Sequence, residues 1–74
     1  LMPTADDSYY LGSAYLQWRN VYTGDLHLSN MTKDVGNSVD GTKGDWTIQE
    51  GAEDLFLLNN NSGKKYKFNL TEIE

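Results

Sequence analysis

The clearest rhythm of apolar and polar positions lies toward the end of the chain. Trp46-Thr47-Ile48-Gln49 alternates, and Tyr66, Phe68 and Leu70 alternate again with Lys65, Lys67 and Asn69. Between them runs Leu55-Phe56-Leu57-Leu58 without a polar break. Alternation with a period of two marks a strand with one covered face, whereas a continuous apolar run points side chains to both faces. The joining stretches EGAED and NNNSG are built of turn formers. The pattern predicts a three-stranded antiparallel meander over residues 46–73, with a middle strand that needs cover on both sides. Glu53 and Asp54 precede that strand and Lys64, Lys65 and Lys67 follow it, so opposite charges are expected to face each other across the hairpin.

The beginning reads differently. Leu11, Tyr15, Trp18 and Tyr22 are spaced four, three and four apart, the rhythm of one helical face, and Ser13 stands where an N-cap would. Leu16 occupies the position a capping box gives to Glu or Gln, so only half of that signal is present. A short helical turn is expected here. Val21-Tyr22-Thr23 and Leu26-His27-Leu28 then read as extended chain around a tight turn at Gly24-Asp25. Residues 31–45 hold Gly36, Gly41, Gly44, Asn37, Asp40 and Asp45 with no sustained period, which predicts a loop tacked down by Val35 and Val39. The organisation expected is one domain: residues 1–30, a loop over 31–45, and the meander.

Length sharpens the problem of cover. A chain of 74 residues folding alone buries only about 60% of the surface its unfolded form exposes, and such domains usually rely on disulfides, a metal or a partner. There is no cysteine, and His27 is the single histidine, too few for any common zinc site. Association remains. A net charge of -5 argues against a nucleic-acid partner, which requires a basic stripe. No apolar run is long enough for membrane insertion, and no signal-peptide pattern opens the chain. A chain that starts at Leu1 is expected to be a segment of a longer or processed protein.

Catalytic chemistry finds little support. Ser13, Ser29, Ser38 and Ser62 lack a nucleophile motif, and His27 reads as an ordinary strand residue. Glu50, Glu53 and Asp54 crowd one turn, whereas glycosidase carboxylates must flank a sugar at a set separation. The chain is expected not to be an enzyme and to carry no cofactor. Asp34, Asn37, Asp40 and Asp45 supply oxygens suited to calcium, but their spacing departs from the known loop pattern, and ordinary turn chemistry accounts for them. The Asn-x-Ser/Thr triplets at Asn30, Asn60 and Asn69 are short enough to recur by chance. The aromatic residues could stack on sugars, yet their helical and strand periods are those of packing residues.

The stretch YYLGSAYLQWRNVYTGDL resembles the repeated element of bacteriophage tail fibres and tailspikes through Leu11, Gly12, Ser13, Trp18, Val21 and Tyr22. The second half is similar to terminal regions of fibre-like structural proteins of cyanophages, through Trp46, Glu50, Gly51, Asp54, Leu55, Phe56 and the run Gly63-Lys64-Lys65-Tyr66 with Phe68. The resemblance implies a mainly β, intertwined homotrimer in a virion fibre, contacting other fibre or tail proteins. In many such fibres the L-G-S element precedes a self-cleaving chaperone, for which this chain has no room, so a C-terminal cap is the expectation. Together these readings predict a trimerisation or tip domain with Trp18, Tyr22, Trp46, Phe56, Leu58 and Phe68 buried between chains. The alternative is a receptor-binding tip in which Tyr9, Tyr10 and Tyr15 touch a host carbohydrate or surface protein.

Overall fold

The computed structural model describes residues 1–74 and is mainly β. Its regular structure is one antiparallel sheet of strands β1 (Leu26–Ser29), β2 (Asp45–Glu50), β3 (Leu55–Asn59) and β4 (Lys65–Lys67), in spatial order β1-β2-β3-β4. The expected meander is present as β2, β3 and β4. β1 adds a fourth strand on the other side of β2, where Leu26, His27 and Leu28 pair with Ile48, Thr47 and Trp46. It is the extended segment anticipated after Gly24-Asp25. Val21 to Thr23 stay outside the sheet.

Each connection follows from its residues. Between β2 and β3 the Gly51 N–H donates to the Asp54 carbonyl at 2.7 Å. Between β3 and β4 the side-chain oxygen of Asn59 accepts from the backbone N–H groups of Asn61 and Ser62, at 3.1 and 3.2 Å. Gly63 closes that turn at φ 76°, donating to the Asn59 carbonyl at 2.8 Å. The long β1–β2 connection is pinned by Asn30. Its backbone N–H bonds the Gly44 carbonyl at 3.2 Å, and its amide oxygen accepts from the Gly44 N–H at 2.7 Å. A smaller loop then closes on itself, with Asn37 Oδ1 accepting from the Val39 and Asp40 N–H groups at 2.8 and 2.9 Å.

The helical turn expected after Ser13 does not form; the chain there is bends and extended backbone. Ser13 does receive a cap-like bond, from the Leu16 N–H to its Oγ at 3.0 Å. Its own N–H, however, donates forward to the Leu16 carbonyl at 3.0 Å, which closes a tight turn rather than opening a helix. Gly12 enters this turn at φ 83°, and a methyl group placed on it would stand 3.5 Å from Trp18 Cδ1. The glycine and tryptophan spacing therefore reflects a turn that brings the indole alongside Gly12. Four-three spacing alone cannot tell that arrangement from a helix.

The expected charge pairing across the β3–β4 hairpin is also absent. Register places Lys65 opposite Leu58 and Lys67 opposite Phe56, whereas Glu53 and Asp54 lie beyond the far end of β3. The ion pair that does form joins Lys33 to Asp6 at 3.0 Å. The Lys33 ammonium and the Thr32 hydroxyl hold the Asp6 carboxyl below its ordinary 3.8.

Candidate assembly surface

Cross-strand partners share a face of a sheet, so the register sorts every strand residue to one side or the other. On one side stand Leu26 and Leu28 of β1, Trp46 and Ile48 of β2, Leu55 and Leu57 of β3, and Tyr66 of β4. Phe68 joins them, because its N–H bonds the Leu55 carbonyl at 3.1 Å and continues the ladder. Trp46 and Tyr66 meet diagonally with ring centroids 5.9 Å apart. Glu50 is the single charged strand residue on this apolar side.

The other side is polar and largely satisfied within the chain. Thr47, 4% exposed, is the one buried residue of the protein. Its hydroxyl accepts from Asn60 Nδ2 at 2.9 Å and lies 3.0 Å from His27 Nδ1. Asn60 also donates to Asp45 Oδ1 at 3.1 Å, and Gln49 donates to Asp25 Oδ2 at 3.2 Å. Phe56 and Leu58 share this side with Lys65 and Lys67, which register places directly opposite them. Lysine stems can cover such apolar groups while their ammonium ends stay in water.

The residues expected to pack between chains are thus not gathered at one place. Trp46 and Phe68 belong to the apolar side, Phe56 and Leu58 to the polar side, and Trp18 and Tyr22 to the arm that precedes the sheet. Leu26, Leu28, Ile48, Leu55, Leu57 and Tyr66 complete the apolar side; the sequence reading placed them in extended or apolar stretches but did not assign them to the packing surface. Their alternation was visible, but which strands pair, and in what register, was not. Tyr9, Tyr10 and Tyr15, expected at a receptor, lie on the same arm and are 66%, 97% and 96% exposed.

No large apolar side chain is buried anywhere in the protein. Within the sheet Leu26, Leu28, Leu55 and Tyr66 are between 42% and 51% exposed, and within the arm Trp18 and Tyr22 are 65% and 92% exposed.

The loop acids behave as turn residues. Asp40 Oδ1 accepts from the Thr42 hydroxyl at 2.7 Å, from the Thr42 N–H at 3.0 Å and from Asn37 Nδ2 at 2.7 Å. These bonds, the Thr42 hydroxyl first, hold the Asp40 carboxyl below its ordinary 3.8. No three acidic or imidazole groups converge on a common point as metal ligands. Asn30 and Asn60 spend their amides on Gly44, Thr42, Asp45 and Thr47, so neither side chain projects freely. No helix is long and apolar enough to cross a membrane. No protein-family model, curated protein or solved structure matches the chain.

Proposed function

We propose that this chain is a structural assembly module of a virion fibre, a trimerisation or tip domain whose copies complete one another's core. The observation that carries the reading is a sheet with one predominantly apolar side, interrupted by Glu50 and Asn59, in a chain that buries none of its large apolar residues. Size gives it weight. A compact monomer of 8.4 kDa exposes about 4,600 Å2, whereas this chain exposes 7232 Å2. Its radius of gyration is 15.1 Å, against about 11 Å for a compact domain of this length. Its 20 backbone hydrogen bonds compare with about 50 in a self-sufficient domain of this size.

The energetic argument runs the same way. Removing several hundred Å2 of apolar surface from water contributes several kcal/mol per chain at about 25 cal/mol per Å2. That is comparable with the whole stability of a small domain, so folding and association are one process. The homotrimer and the virion setting come from the likeness of the Leu11–Tyr22 and Trp46–Phe68 stretches to fibre proteins. Exposed Tyr10 and Tyr15 favour host-surface contact as the alternative reading.

Sedimentation of the full chain over a range of concentrations, with circular dichroism on the same samples, tests the reading. A trimer is expected, and Trp46→Ala should weaken association by at least tenfold with loss of β signal, since burying such a side chain contributes about 2 kcal/mol. A folded monomer at every concentration would overturn it. Tyr10 and Tyr15 remaining open to a solvent quencher in the trimer supports the alternative reading instead.

A further inference from the structure

We infer that the aromatic arm, residues 9–22, docks on the apolar side of the sheet of a second copy. This rests on the assembly reading and specifies which surfaces meet. Two large apolar surfaces in the molecule have no partner within the chain. One is the sheet side, where Leu26, Leu28, Leu55 and Tyr66 are exposed around the half-buried Trp46, Ile48 and Leu57. The other is the arm, whose Tyr10, Tyr15, Leu16, Val21 and Tyr22 are all at least 69% exposed.

Area separates the ways of covering them. Four strands spaced about 4.8 Å apart and rising about 3.4 Å per residue present a face of only a few hundred Å2. The chain exposes roughly 2,600 Å2 more than a compact monomer of its mass, from 7232 Å2 and the size scaling. Packing sheet faces against one another accounts for a small part of that excess and leaves the arm in water. Apolar side chains exposed on both the sheet side and the arm mark surfaces that a partner covers. Laying the arm of one copy across the sheet of the next removes both surfaces at once, and repeating the exchange closes a ring.

The arm is held in a position to do this. Asp6 is fixed to Lys33 and Thr32 beyond one end of β1, and Asp25 is bonded to Gln49 at the other end, so the intervening chain is tethered at both ends while its side chains stay free. Charge agrees as well. Arg19 is the single charged residue between Ser8 and Gly24, and Glu50 is the single charged strand residue on the apolar side. One positive group therefore meets one negative group at an otherwise neutral contact, which fixes register more than affinity.

Two measurements on the full chain test the docking. In sedimentation, Arg19→Glu and Glu50→Arg should each weaken association about tenfold, and the double reversal should return it to within about threefold of the original. In cross-linking, an Arg19→Cys chain is co-refolded with a Glu50→Cys chain and treated with a short bis-maleimide. The protein has no cysteine of its own, so a product joining the two variants is necessarily between copies. That mixed product should dominate. Assemblies that form normally but yield only products of like with like, or ignore both charge reversals, would overturn the docking and leave the assembly reading standing. Absence of any assembly from the unsubstituted chain would overturn both.

Discussion

Replacing Thr47 with valine keeps the branched shape that suits a strand but removes the hydroxyl that Asn60 bonds at 2.9 Å and that lies 3.0 Å from His27. Asn60 would keep its bond to Asp45, while the His27 ring would lose its cross-strand partner. His27 and Asn60 are exposed and can turn to water, so the loss is the net worth of a hydrogen bond, about 0.5–1.5 kcal/mol. Thr47→Val is expected to lower the denaturation midpoint at fixed protein concentration, whereas Thr47→Ser, which keeps the hydroxyl, should recover most of the loss. Gly51 makes a second demand at this scale. A methyl group there would stand 2.5 Å from Phe56 Cε2, inside any real contact distance. Gly51→Ala should destabilise by about 1–3 kcal/mol through overpacking. Gly24→Ala is the control, since a methyl group there meets nothing within 4 Å.

Among the elements, the loop between β1 and β2 is the one that pH should address. The Asp40 carboxyl is lowered from its ordinary 3.8 by bonds it makes only in the folded loop. A depressed carboxyl stabilises the folded form above its unfolded value, and the contribution is lost as pH falls through the folded value. Asp6, lowered by Lys33 and Thr32, obeys the same sign where the start of the chain is tied down. Protection of the Thr42 amide, its exchange rate relative to that of an unfolded chain at the same pH, is therefore expected to be steady from neutral pH down to the ordinary carboxylate range and to be lost below it. Asp40→Asn should remove that pH dependence. A Thr42 amide with no protection already at pH 7 would show that the carboxylate does not hold the loop. The β2–β3 and β3–β4 turns are closed by backbone and amide groups.

At the scale of the whole molecule, the sheet leaves one largely apolar side open, and the proposed assembly would cover it. If copies complete it, the melting temperature should rise with protein concentration, because mass action stabilises whatever binds only the folded chain. A midpoint that stays constant over a hundredfold dilution would mean that a single chain sustains the fold. Trp46→Ala and Phe56→Ala separate the two sides of the sheet. The first should weaken association strongly, while the second, on the side shared with Lys65 and Lys67, should weaken it less.

Much of this architecture was legible in the chain itself. Alternation around Trp46 and Tyr66 specified strands, the apolar run Leu55 to Leu58 specified a strand with two faces to cover, and the Gly- and Asn-rich turns placed the reversals between them. These are local matters of side-chain period and backbone freedom, and a sequence states them directly. The helical reading of the stretch after Ser13 failed for the same reason: a spacing of four and three records which residues lie near one another, and a tight turn that sets Trp18 beside Gly12 satisfies it too. Only the tertiary structure decided that β1 joins the sheet, that Trp46 and Phe68 stand opposite in facing to Phe56 and Leu58, and that the polar side closes through Thr47 while the apolar side stays open. Strand register fixes those outcomes, and register depends on pairing between distant segments, where a shift of one residue turns every side chain to the other face.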